Sequence, residues 1–278
     1  MNRLFCSLVL CAVLTSCANP PEAPVLRPLT AQALAVTNKR LDALLPMDVL
    51  LLGEQHDAPE HQQIHSQVIA VLAKRGLLAA VALEMADGNL TTAKLHPSST
   101  EQEAKNALKW NDQGWPWDAY GPAVMTAVRA GVLVVGANLP RESMRVSMAD
   151  SSLDGKLAKP AFETQQQLIR TGHCNMLPES QITPMTRIQI ARDIKMAETL
   201  TEVALPGKVV LLLAGSAHTD RLLGVPQHLP AMLKVKAVRL RAGDAAPGDK
   251  ADAFDAVWPT PALPDKDYCA AFKSQMTK

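Results

Sequence analysis

Neither sign of charge is in excess in this chain of 278 residues: 28 Lys and Arg stand against 27 Asp and Glu. Binding a phosphate backbone needs a clustered surplus of cations, so no nucleic-acid partner is expected. Several catalytic signatures are missing as well. There is no Gly-x-x-x-x-Gly-Lys-Ser/Thr phosphate loop, no Gly-x-Gly-x-x-Gly dinucleotide fingerprint and no His-Glu-x-x-His. The nucleophile elbow Gly-x-Ser-x-Gly is absent too, because Ala217 and His218 follow Gly215-Ser216. No internal repeat, low-complexity tract or second domain stands out. Apolar residues make up 47% of the chain and charged residues 20%, which excludes disorder and fibrous classes. Aromatic residues are few (4 Phe, 4 Trp and 2 Tyr), yet Trp110, Trp115, Trp117 and Tyr120 fall close together.

The apolar run over residues 4–14 follows a single cation, Arg3. It is too short for a permanent bilayer span, which takes about 20 residues, and reads as the core of a secretory signal. Leu14-Thr15-Ser16-Cys17 resembles a bacterial lipobox, in which the peptide is cut before a cysteine that then carries lipid. Residues 1–16 are then a signal peptide. Residues 17–30 are the lipidated Cys17 and a linker kept extended by Pro20, Pro21 and Pro24. Residues 31–278 remain as one α/β domain. Ala18 stands where an Asp would favour the inner membrane; by resemblance to lipoprotein sorting signals this implies the outer membrane, with the protein facing the periplasm. Cysteine usage agrees with an oxidising compartment. Cys6 and Cys11 leave with the signal and Cys17 takes lipid, so Cys174 and Cys269 are left and are expected to pair. Two buried free thiols are the alternative.

Five short runs rich in Val and Leu read as buried parallel strands: residues 48–53, 80–85, 132–137, 209–214 and 235–240. Helical periodicity lies between them, over residues 59–75, 118–129 and 185–203. Alternating strand and helix implies right-handed crossovers and an open, mostly parallel sheet with helices on both faces. Residues 242–255 are polar and carry Gly and Pro, as a surface loop does.

In such sheets ligands bind outside the carboxyl ends of the strands. That edge gathers polar groups here. The first strand runs into Gly53-Glu54-Gln55-His56, the second holds Glu84, the third reaches Asn138 ahead of Arg141, and the fourth runs into Gly215-Ser216-Ala217-His218. One Gly-x-x-His is an ordinary polar turn. Two at the ends of parallel strands, with Glu84 between them, point to one cleft shared by Glu54, His56, Glu84 and His218. The segments LLGEQHD, ALEM, WPWDAY, ANLPR, GHCNMLPES and LAGSAH, in this order behind a lipobox, resemble the ChaN family of haem-binding lipoproteins within the Tiki/TraB superfamily. The resemblance implies an α/β fold, a lipid anchor, and haem binding linked to iron acquisition.

Two chemistries compete for the cleft. A haem site needs an axial ligand, apolar walls and partners for the propionates. Tyr120, beside the indole cluster, is the expected iron ligand, because the other phenol, Tyr268, adjoins Cys269. His56 and His218 are the alternative ligands, Trp117 is expected to wall the macrocycle, and Arg141 to hold a propionate. A pocket shallow for so large a ligand would call for a second copy of the chain. The second chemistry is a metal-dependent hydrolase, since the superfamily includes metal-dependent proteases. His56 and His218 would then hold a divalent metal, with Glu54 or Glu84 as general base. His61 and His65 stand four apart on a helix but are surrounded by Gln62, Gln63 and Gln67, and are expected on its solvated face. The lipobox makes a direct prediction: mature protein begins at Cys17 and carries added acyl mass, and a Cys17→Ala variant leaves the membrane fraction. Whole-protein mass spectrometry and fractionation check it; a Cys17→Ala protein still wholly in membranes would sink it.

Overall fold

The computed structural model describes residues 29–244, 252–270 and 273. Cys17, with the signal and most of the linker, lies outside these residues. All five apolar runs form strands: β1 (Val49–Glu54), β2 (Leu78–Asp87), β3 (Leu133–Asn138), β4 (Val209–Gly215) and β5 (Val235–Ala242). A sixth, β6 (Ala256–Thr260), pairs with the outer side of β5. Its sequence AVWPT carries Pro259, which an edge strand tolerates because one side has no ladder to complete. The order is β3-β2-β4-β1-β5-β6, and each of these pairings is parallel.

The period of two along each strand sends alternate residues to opposite helix layers. Leu50, Leu52, Val81, Leu83, Leu211 and Leu213 pack against α1 (Ala31–Asp42), α2 (Pro59–Lys74) and α4 (Trp117–Arg129). Val49, Leu51, Ala80, Ala82, Val210 and Leu212 pack against α7 (Glu179–Glu202), through Met196, Ala197 and Leu200. Outside α7 lie α5 (Met144–Ala149) and α6 (Lys159–Gly172). Burial on both faces is the reason the strands are unbroken apolar runs. Local signals set several ends: Thr100 and Glu103 form a capping box at the start of α3 (Glu101–Ala107), and Pro59 sits in the first turn of α2, where its missing N–H costs nothing.

The connectivity positions the functional edge. β1 and β2 follow each other in sequence but are not neighbours; β4, more than a hundred residues later, is inserted between them. The carboxyl ends of β1, β2 and β4 therefore lie side by side, and α8 (Ser216–Thr219) leaves β4 at that edge.

One expectation about α2 is corrected. His61 and His65 are fully buried, as is Gln62, so this face of the helix points inward. His61 Nδ1 accepts the Gln55 backbone N–H at 2.9 Å and Nε2 lies 3.0 Å from Thr260 Oγ1, which ties α2 to the edge strand β6. A short polar-rich helix start hides this, because the partners come from elsewhere in the chain.

Cys174 and Cys269 are joined, across a sequence separation of 95 residues. The bond fastens the chain after α6 to the segment that follows β6. In the chain-entropy model, closing a loop of this size stabilises by roughly 4–5 kcal/mol through the unfolded state. Urea unfolding of a C174A/C269A protein should show that loss; an unchanged midpoint and slope would show that the bond contributes nothing to the fold.

Candidate functional site

Glu54 ends β1 and is 1% exposed. Three donors answer its charge. His56 Nδ1 lies 2.7 Å from Oε1, the Tyr120 hydroxyl donates to the same oxygen at 2.7 Å, and the Gln62 amide donates to Oε2 at 3.1 Å. His65 Nε2 is 3.5 Å from Oε2 without hydrogen-bond alignment. Burial pushes the Glu54 carboxyl up, but His65, His56 and Tyr120 outweigh it and hold the group below its usual range.

Glu84, 2% exposed, is the second buried carboxylate. Its Oε2 accepts the Gly215 backbone N–H at 2.7 Å, and Arg192 Nη2 donates to Oε1 at 3.1 Å. His218 Nε2 is 3.5 Å from Oε1 and His56 Nε2 is 3.9 Å from Oε2. Burial would raise the Glu84 carboxyl; His218, His56 and Arg192 overcome it and hold the group far below its usual value. Both cations are themselves held. Arg192 Nε donates to Asn138 Oδ1 at the end of β3 at 2.8 Å, and His218 Nδ1 lies 2.6 Å from Asp193. Burial opposes a charge on His218, but Asp193 and Glu84 raise its pKa to about 10, so it is an imidazolium at neutral pH. His56 is shifted the same way: burial lowers it, and Glu54 and Glu84 raise it further.

The two Gly-x-x-His elements make room for each other. A Cβ on Gly53 would overlap the Thr219 hydroxyl, and a Cβ on Gly215 would lie 2.8 Å from His56 Nε2. Neither glycine has a positive φ; each is required by close approach rather than by turn geometry.

Two cavities meet at His56. One, of about 560 Å³, is lined by Glu54, Glu84, Arg192, His218, Arg239 and Arg241 among others. The other, of about 770 Å³, lies against Trp115, Pro116, Trp117, Pro59 and Pro122. His56 meets Trp115 edge to face, with 4.9 Å between ring centroids. Trp110 donates to the Trp115 carbonyl at 2.7 Å and Trp117 donates to Glu101 at 3.0 Å, so every indole N–H near this wall that is buried has a partner.

Glu54, His56, Glu84 and His218 thus line one cavity. Three expected roles are not favoured by this geometry. Tyr120 is 1% exposed and donates a hydrogen bond to Glu54; burial and that carboxylate raise its pKa far above the usual phenol value, which disfavours the tyrosinate form. Arg141, expected at a propionate, is exposed in a short 3-10 turn after β3 and lines neither cavity; the arginine that lines the charged cavity from α7 is Arg192, which is paired with Glu84. A metal on His56 and His218 gains no support either: among the described residues no three His, Cys, Asp or Glu side chains are grouped as a ligand set. Trp117 is buried at the aromatic cavity, as core and wall at once. Arg192, Asp193 and Gln62 carried no sequence signal beyond residue type. Arg192 and Asp193 lie mid-helix and Gln62 in the first turn of α2, and only packing of α7 and α2 on the sheet aims them at the carboxylates.

A family model for haem-binding uptake proteins of the ChaN type, within the Tiki superfamily, matches residues 40–229. The chain belongs to this family. A ChaN structure from Campylobacter jejuni, described as binding haem cofacially, is 26% identical, with a TM-score of 0.67 over 79% of this chain and 89% of that one. A mutant erythromycin esterase in its open conformation is 15% identical, with a TM-score of 0.45 over 73% of this chain and 72% of that one, too distant to carry an argument. No curated protein matches the chain. As a ChaN protein it shares the family's parallel sheet.

The ion network dictates a pH response. With His218 held at about 10, against 6.5 unperturbed, its stabilisation is complete below about pH 6.5 and is lost as pH climbs toward 10. His61, lowered to about 4 by burial and by His65, acts at the other end: the unfolded chain takes a proton that the folded one refuses, so stability falls as pH drops from 6.5 toward 4. Nitrogen-15 spectra at pH 8 should show both nitrogens of His218 protonated. Asp193→Asn, which strands the buried cation, should cost about 3–5 kcal/mol in urea unfolding at pH 7. A neutral His218 at pH 8 would refute the assignment.

Proposed function

We propose that this ChaN protein is a lipid-anchored haem-binding protein of iron uptake, tethered through Cys17 to the outer membrane and facing the periplasm. The observation that carries the haem reading is the cavity beside His56. It measures about 770 Å³, within the roughly 300–1,000 Å³ of ligand pockets, and three prolines and two indoles wall it in a chain of a haem-binding family. Flat apolar walls of this kind suit a macrocycle.

The axial ligand is reassigned in this proposal. His56 Nδ1 is held by Glu54 at 2.7 Å, and its Nε2 faces Glu84 at 3.9 Å on the charged side of the two cavities. Tyr268 is the exposed phenol, 48% accessible, and its hydroxyl donates at 2.8 Å to Asp57, a residue lining the aromatic cavity. The Asp57 hydrogen bond raises the Tyr268 phenol as well, so what sets it apart from Tyr120 is its exposure; Gln55 donates to the phenol oxygen at 3.3 Å. Lys266, 3.3 Å from Asp57 and 4.9 Å over the Tyr268 ring, is a cation for a propionate at the same rim. Ferric haem, when bound, supplies the Lewis acid that favours an anionic oxygen ligand. The C. jejuni protein binds haem cofacially; carried over to this chain, that brings two haems face to face and hence a homodimer.

Hemin titrated into the detergent-solubilised full-length protein should give a shifted Soret band. Tyr268→Phe should weaken binding at least about tenfold, roughly 1.4 kcal/mol, and abolish the tyrosinate signature, which Tyr120→Phe should keep. Loss of that signature in Tyr120→Phe alone would return the ligand to Tyr120; no Soret shift at all would end the haem reading.

A further inference from the structure

We infer that the Cys174–Cys269 bond is a site of thiol–disulfide exchange with dithiols of the Cys-x-x-Cys class, and that its reduction withdraws Tyr268 from the rim of the aromatic cavity and so lowers haem affinity. This control rests on the reading of Tyr268 as the iron ligand, since Cys269 is the next residue in the chain. A bond one residue from the ligand decides whether the ligand is fixed or loose.

Little else fixes the segment that carries Tyr268. None of residues 261–270, which follow β6, is buried, so apolar packing contributes almost nothing to their placement. The side-chain ties of Tyr268 and Lys266 converge on one loop of the body. Tyr268 donates to Asp57 at 2.8 Å, Lys266 lies 3.3 Å from the same carboxylate, and Gln55 donates to the phenol oxygen at 3.3 Å. Exposed polar pairs of this kind contribute little. The stretch from 261 to 268 can span roughly 26–29 Å when extended, far beyond the length of an iron–oxygen bond. Opening the disulfide therefore puts the phenol on a tether, and its effective concentration at the iron drops.

The bond is also reachable. Both cysteines are partly exposed and neither belongs to the apolar core. Cys174 and Asn175 follow α6 with φ of 57° and 56°, a left-handed conformation that asparagine tolerates and that strains a cysteine. Exposed or strained disulfides are the ones that yield to dithiols. In the exchange, a thiolate of the partner attacks one sulfur of the pair, and the S–S electron pair leaves on the other, which takes a proton. The partner's second thiolate then attacks the mixed disulfide, closes the partner's own S–S bond and expels the first protein sulfur, which is protonated in turn. Two electrons and two protons pass to this chain, and the partner dithiol is oxidised. The iron keeps its oxidation state, and the phenolate that leaves it takes a proton from water.

The test uses haem-free, detergent-solubilised full-length protein, reduced without denaturant by excess dithiothreitol or by a reduced Cys-x-x-Cys protein. The reductant is removed anaerobically before hemin is titrated in. Alkylation mapping follows the two thiols and far-UV circular dichroism follows the fold. Reduced wild type should bind hemin at least about tenfold more weakly than oxidised wild type and lose the tyrosinate signature, with unchanged dichroism. Reoxidation with oxidised glutathione should restore both, which excludes misfolding. C174A/C269A should match the reduced protein and show no response to dithiothreitol. A bond that resists both reductants in the folded protein, unchanged hemin affinity after reduction, or a loss that reoxidation does not reverse would each overturn the inference. Oxidised Tyr268→Phe separates the two readings. A tyrosinate signature kept there ends the ligand reading, and the withdrawal of Tyr268 with it. A signature lost there, beside hemin affinity that reduction leaves unchanged, keeps the ligand reading and overturns the redox control alone.

Discussion

A carboxylate buried at the end of a central strand has to be neutralised where it stands, and Glu84 imposes that requirement on this fold. Leaving such a charge unpaired costs several kcal/mol, so α7, α8 and the end of β4 are placed to deliver Arg192, His218 and the Gly215 N–H to it. Each cation is then held by a further group, Asn138 for Arg192 and Asp193 for His218. The network thereby couples the α7 layer to β2, β3 and β4. Glu54 imposes the same demand on the other layer, through His56, Gln62 of α2 and Tyr120 of α4.

These two networks meet at His56, and the meeting separates two environments. On one side are indoles and prolines, on the other carboxylates, arginines and an imidazolium. Tyr120 illustrates the division. It is packed among Trp110 and Trp115 as an aromatic, yet its only polar atom is committed to Glu54. A residue so placed braces the charged site from the apolar side and has no oxygen to spare. The apolar cavity and the ion network therefore share His56 but are otherwise lined by different side chains.

The C-terminal segment depends on few interactions. Beyond β6 it has no strand or long helix among the described residues, and its side chains are mostly exposed. The Cys174–Cys269 bond holds one end, and the contacts of Tyr268 and Lys266 with Asp57 hold the part nearest the cavities. A covalent bond to the α6 end supplies the order that apolar burial does not, and it sets Tyr268 beside the loop that carries His56.

The strands were legible because burial on both faces demands continuous Val and Leu, a pattern that survives in one dimension. β6 was not, since its five residues include Pro259 and its stability comes from pairing along β5. The strand-end residues Glu54, His56, Glu84 and His218 could also be named in advance, because a parallel sheet puts carboxyl ends on one edge whatever its strand order. Cysteine counting sufficed for the disulfide. Pair partners were another matter. His61 and His65 read as solvated among glutamines, and became buried only when β6 and the Gln55 backbone closed over them. Nothing in the order of residues marked Arg192, a helix-interior residue, as the partner of Glu84. By itself the sequence determined the α/β layering and which polar residues share an edge, since both follow from periodicity and chain direction. Only the tertiary structure decided which charges pair, which phenol is exposed and where the cavities lie, because those depend on insertion of β4 between β1 and β2 and on the rotation of α2 and α7 against the sheet.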